Sequence, residues 1–206
     1  MLKRLAKVVT TMLVAGFAAG AMAQAQAPDA LVKQVSSEVL ESVKTDKAIQ
    51  AGDQKRILAL VDAKIVPNVD MARMADEALG RYKSQATPEQ KKRLQDEYKK
   101  LLVYTYAKAF AQAKDKTLAF KRLRAEDGAN EVTVKSEIRS SGGEPVKLDY
   151  MLVKTPEGWK IYDLDVGGVV ISLLFKQQFE GEVAAKGVEG LIKSLTERNK
   201  TLSAKG

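Results

Sequence analysis

The sequence predicts an α+β domain, with helices packed on one face of an antiparallel sheet. Three observations carry this. Up to about residue 113, apolar residues recur at three- and four-residue spacing; from Thr117 the period drops to two; beyond Gly167-Gly168 it becomes helical again. A chain of 206 residues suits one domain, and 45% hydrophobic with 29% charged residues is enough to build a core of ordinary size.

The first helix is expected over 28–43, with Leu31, Val35, Val39 and Val43 on one face. A second starts at Asp53, a good N-cap, carries Ile57, Leu58, Val61 and Ile65, and ends at Pro67. A short third helix over 69–79 stops at Gly80, which can take the left-handed C-cap conformation. The fourth has the clearest start: Thr87 caps it, Pro88 stands in its first turn and Gln90 completes a capping box. Its stripe of Leu94, Tyr98, Leu101, Leu102, Thr105 and Ala109, closed by Phe110, predicts a helix reaching about 113.

Leu118 and Phe120 open the first of four expected strands. In the second, Val132, Val134, Ser136 and Ile138 alternate with Thr133, Lys135, Glu137 and Arg139. Ser140-Ser141-Gly142-Gly143 makes a hairpin connection, and Leu148, Tyr150 and Leu152 resume the alternation. Pro156-Glu157-Gly158 turns into the last strand, with Trp159, Ile161, Tyr162, Leu164 and Val166. Short polar turns make the four a meander. The dense apolar run Val169, Val170, Ile171, Leu173, Leu174, Phe175 reads as the start of a buried helix ending near Phe179. A final helix over 188–201 turns Val188, Leu191, Ile192 and Leu195 inward.

The N-terminus reads as an export signal. Lys3, Arg4 and Lys7 precede an apolar run from Val8 to Phe17, and Ala21-Met22-Ala23 fits a peptidase cleavage site. Cleavage is expected after 23, with further small-residue sites as late as 27, leaving one domain over 28–202. The apolar run is short for a bilayer span and no stop-transfer flank follows it. An exported chain without cysteine has no disulfide framework, so its core must carry stability alone. Those three cations account for three of the formal +8, leaving +5 on the mature chain. Its charges are interspersed, as in Gln90 to Lys100, and form no concentrated basic stripe; nucleic acid is not an expected partner.

Much catalytic chemistry is missing. Without histidine or cysteine there is no imidazole base, no usual zinc ligand, no thiolate nucleophile and no Ser-His-Asp triad. No glycine-rich phosphate loop is present. The remaining candidates are carboxylates. Asp163 and Asp165, two apart on a strand, face one side and could hold a cation or share a proton; a solvated strand end explains them more simply. Asp149 and Tyr150 are neighbours on a strand and so point to opposite faces, which argues against an isomerase pair. No catalytic residue, metal site or cofactor is expected. Aromatic side chains such as Tyr82, Tyr104, Tyr106 and Phe179 are core by default, and periodicity does not separate a filled core from a hollow one.

A succession of short motifs goes further. Pro67-Asn68-Val69-Asp70 leads to Met74-Ala75, Ala78-Leu79-Gly80-Arg81-Tyr82 and Ala86-Thr87-Pro88-Glu89-Gln90. Leu101-Leu102-Val103-Tyr104-Thr105-Tyr106-Ala107 follows, then Gly158-Trp159-Lys160-Ile161-Tyr162-Asp163, Gly168-Val169, Gln178-Phe179, Gly187 and Leu191-Ile192. In this order they resemble the MlaC, or toluene-tolerance, family of periplasmic phospholipid-binding proteins across nearly the whole mature chain. One stretch departs: Gly167-Gly168-Val169-Val170-Ile171 stands where the family usually has Glu-Gly-Val-Ser-Leu, so an acid and a hydroxyl are lost. That bears on headgroup recognition rather than on acyl-chain binding.

The resemblance implies an NTF2-like sheet with helices around an apolar cavity, in a periplasmic, monomeric, non-catalytic carrier. It further implies lipid shuttling between an outer-membrane lipoprotein complex and an inner-membrane ABC transporter bearing an MCE-domain protein, maintaining outer-membrane lipid asymmetry. The candidate lipid-binding residues are Val134, Ile138, Leu148, Tyr150, Leu152, Trp159 and Ile161 from the sheet. Val169, Leu174 and Phe175 join them from the tail, and Tyr98 and Leu102 from the long helix. Two other classes compete: an isomerase or hydrolase on the same scaffold, which a buried acid would favour, and a solid-cored scaffold protein.

Overall fold

The computed structural model describes residues 26–204; the expected signal peptide over 1–23 lies outside them. Helix α1 spans Pro28–Thr45, α2 Lys47–Gln50 and α3 Gln54–Leu60, the last two capped by the carboxylates of Asp46 and Asp53. At Val61 the helical winding loosens into a π turn, Val61–Ile65, and a 3₁₀ turn, Val66–Asn68, closes the segment around Pro67. Helix α4 spans Met71–Leu79 and stops at Gly80, with φ 56°. The Gly80 hydrogen matters beyond conformation: a Cβ there would collide with the side chains of Lys176 and Glu180, and Glu180 Oε1 accepts from the Arg81 amide at 3.2 Å.

Helix α5, Pro88–Ala111, begins with the full capping box. Its apolar stripe differs from the expected one. Leu94, Tyr98 and Leu101 are buried, but Thr105 and Ala109 are exposed, and burial passes to Val103 and Ala107. The helix packs on α4 and the C-terminal helix along its first half and on α3 further on, so the buried stripe changes sides.

The sheet is an antiparallel meander in the order β1, β2, β3, β4, β5. β1 spans Thr117–Phe120, β2 Glu131–Arg139, β3 Val146–Thr155, β4 Gly158–Val166 and β5 Val169–Val170. The fifth strand corrects the expected four. Gly167 and Gly168 both adopt positive φ, 62° and 92°, the geometry of a tight two-residue hairpin turn, so Val169 folds back on Val166 before any helix can start.

A bulge sets the faces of β4. Met151 pairs with Asp163 and Leu152 with Ile161, leaving Tyr162 as the extra residue. Ile161 thereby shares a face with Leu164 and Val166 instead of with the two aspartates. Cross-strand pairs place Val134, Tyr150 and Leu164 in one row and Val132, Leu152 and Ile161 in the next.

Helix α6, Ile171–Ser203, is a hairpin rather than a rod. Gly187, at φ 69° and ψ 176°, breaks it, and Arg198 reaches back to bond Gln178 at 3.1 Å. The first arm therefore continues past Phe179, where the sequence pattern ended it. No helix among the described residues is long and apolar enough to cross a membrane.

Candidate functional site

The apolar interior is divided into three clusters. One joins α4, α5 and both arms of α6; a second joins α1 to the apolar face of the sheet; a third joins the end of α1, α2, α3 and the far half of α5. Domains usually have one contiguous core. Here the links are half-buried side chains: Leu164 packs on both the helical and the sheet cluster, and Val39 on both the sheet cluster and the third. The seam between α1, α5 and the sheet is thus apolar and bridged by half-buried rather than fully buried side chains.

The sequence-derived candidates distribute around that seam. Val134, Tyr150, Leu152 and Ile161 are buried in the sheet cluster, with Leu148 and Trp159 half-buried beside them. Tyr98 and Phe175 lie in the helical cluster, ring edge to ring face at 5.4 Å, and Leu102 packs half-buried against it. Ile138 is half-buried between its strand partners Leu118 and Val146. Val169 and Leu174 belong to neither cluster, because both are exposed.

Their exposure defines a second feature. Among the described residues the exposed large apolar side chains are Val146 at 44%, Val169 at 47%, Leu173 at 56% and Leu174 at 52%. All four lie in segments that adjoin the Gly167-Gly168 turn. Val146 starts β3 and approaches the Gly167 turn; Val169 pairs with Val166, which also pairs with Leu148; Leu173 and Leu174 follow in the first turn of α6. This lip leads through Leu148 and Val166 to the seam. Each half-exposed leucine leaves about 1 kcal/mol of burial energy unrealised, and contiguous exposed apolar groups mark contact surfaces. The sequence reading missed Val146 and Leu173 at the lip, and Leu164, Val166 and Val39 at the seam. The three-residue step from Ile161 to Leu164 was the available signal for the last strand, since only a bulge puts both on one face.

The carboxylates are not at a solvated strand end, as expected from sequence. Asp163, Asp165 and Asp149 are all buried. Asp163 serves the start of α6, whose N-cap position, Val170, has no side chain able to cap: its carboxylate accepts from the Ser172 amide at 3.2 Å, the Leu164 amide at 2.9 Å and the Ser172 hydroxyl. Burial pushes its carboxyl above the ordinary range, against the pull of those bonds. Asp149 and Asp165 face each other across β3 and β4, with Lys147 Nζ 2.6 Å from Asp165 and 3.5 Å from Asp149. Asp165 also accepts from the Gly168 amide at 2.8 Å, fastening the turn below the lip. Ser36 Oγ and Tyr150 Oη, 2.9 Å apart, tie α1 to β3 inside the sheet cluster.

A groove of 520 Å³ lies elsewhere, lined by residues of the α2–α3 turn, α5 and Leu202, and includes none of the candidates. Among the described residues no group of three potential metal-ligating side chains occurs.

An apolar seam with a lip, and polar groups spent on fastening its walls, suits holding an apolar ligand. The sequence family described as MlaC protein matches residues 33–197. The chain belongs to the MlaC family. Among solved structures, this MlaC-family chain is similar to the phospholipid-binding protein from Ralstonia solanacearum, determined in complex with a phospholipid at 1.53 Å. The two share 41% identity and a TM-score of 0.80, over 85% of this chain and 98% of the other. No curated protein gives a significant match.

Proposed function

We propose that this MlaC-family protein is a periplasmic carrier that holds phospholipid acyl chains between α1, α5 and the apolar face of the sheet. Lipid enters and leaves at the lip formed by Val146, Val169, Leu173 and Leu174. The carrier passes lipid between an inner-membrane ABC transporter bearing an MCE-domain protein and an outer-membrane lipoprotein complex, and so maintains outer-membrane lipid asymmetry. The observation that carries this reading is the 41% identity to a protein solved with a phospholipid bound. The divided core and the lip support it, because a carrier needs an apolar interior and an apolar route into it.

The need for such a carrier is physical. Each methylene transferred from water contributes about 0.8 kcal/mol, so a lipid with two long tails stays in its membrane unless a protein shields them. Catalysis is not part of the proposal. A buried acid is what an isomerase would require, and Asp163 is one, but its carboxylate already accepts three hydrogen bonds, one from Leu164 and two from Ser172.

Purification of the mature chain from periplasm without detergent, followed by native mass spectrometry and lipid extraction, tests the proposal. Bound phospholipid is expected. A folded, lipid-free protein that takes no lipid from vesicles would overturn it.

A further inference from the structure

Tyr98 is fully buried, 0% exposed, with its ring set edge-on against Phe175 and Phe179 at 5.4 Å from each. Its hydroxyl has no hydrogen-bond partner among the described residues. A buried hydroxyl left unpaired is costly, and phenylalanine would make the same ring contacts without that cost. The hydroxyl therefore points to a partner that the described residues do not supply.

Its surroundings restrict what that partner is. Tyr98 lies in the helical cluster, which Leu164 of β4 joins to the sheet cluster, and the titratable groups that act on its phenol are Asp163 of β4 and Tyr106 of α5. Asp163 is already bonded to Leu164 and Ser172. Burial pushes the phenol well above its ordinary range, so it remains a donor. A donor in an acidic, apolar setting suits a neutral oxygen acceptor and disfavours a phosphate. In a phospholipid, the neutral acceptors adjoining the acyl chains are the ester carbonyls.

We propose that Tyr98 Oη donates a hydrogen bond to an acyl-ester carbonyl of the bound lipid and so sets how deeply the chains sit. This rests on the carrier function proposed above.

Competitive loading of the full mature chain with diester phosphatidylglycerol and its diether analogue, read by native mass spectrometry, tests it. The wild type is expected to prefer the diester by about threefold to tenfold, the range of one hydrogen bond. Tyr98→Phe is expected to load both equally and, when lipid-free, to melt no lower than the wild type. Equal loading of the two lipids by the wild type would overturn the proposal without any variant, as would an unchanged preference in Tyr98→Phe. A lipid-free Tyr98→Phe that melts several degrees lower would also overturn it, because an internal partner then holds the hydroxyl. Loading of neither lipid by the wild type would instead overturn the carrier function itself.

Discussion

The carboxylate of Asp163, on β4, closes the N-terminus of α6 by accepting from both the amide and the hydroxyl of Ser172. A strand residue thus supplies the cap that Val170 lacks, and it fixes the helix whose first turn carries the lip. Replacing Asp163 with alanine leaves the Ser172 amide unpaired and should cost about 1–3 kcal/mol in denaturant titration.

Asp163→Asn separates charge from hydrogen bonding. Burial raises the carboxyl of the folded state above its ordinary 3.8, so native protein keeps this proton where unfolded chain has released it. The group's contribution is fully present below 3.8 and is lost as pH rises through the higher native value. Carboxylates such as Glu137 and Glu189 are shifted downward by their cationic partners and slope the opposite way. The difference between wild type and Asp163→Asn isolates Asp163. Wild-type stability relative to the variant should fall from pH 4 to pH 7 in denaturant titrations.

Ser36 and Tyr150 should behave as a coupled pair. Ser36→Ala or Tyr150→Phe alone leaves one buried hydroxyl unpaired and should cost about 1–2 kcal/mol. The double variant should cost less than the sum of the singles, by about 1 kcal/mol in a double-mutant cycle, because both hydroxyls then disappear together.

Enlargement distinguishes filled core from seam. Leu152 is fully buried between the sheet and α1, so Leu152→Trp should overpack and destabilise by about 1–3 kcal/mol. Leu164, half-buried where two clusters meet, should tolerate tryptophan with a smaller loss of stability and a larger loss of bound lipid. Thermal melts and lipid counts on the same preparations check both.

The lip predicts a functional loss without unfolding. Leu173 and Leu174 are more than half exposed, so Leu173→Ser with Leu174→Ser should change stability by about 0.5 kcal/mol or less per site. Lipid uptake from vesicles should slow severalfold while the melting temperature holds.

Local rules made much of this protein legible in its sequence. The Thr87–Gln90 capping box, the caps at Asp53 and Gly80 and the alternation of β2 and β3 each depend on residues a few positions apart, and such short-range signals survive without knowledge of the fold. The motif succession went further and reached the MlaC family. Tertiary structure decided the rest. The stripe on α5 changes sides because different neighbours cover its two halves. The bulge at Tyr162 decides which residues of β4 face the seam, and pairing with β3 creates it. Asp163 reads as a surface acid until α6 is placed beside it with an uncapped end. Above all, periodicity records which residues share a face and nothing about what fills the space in front of that face. Where Leu164 and Val39 bridge separate clusters, and where Val146 approaches the Gly167 turn, is settled by contacts between segments far apart in the chain, which no local pattern encodes.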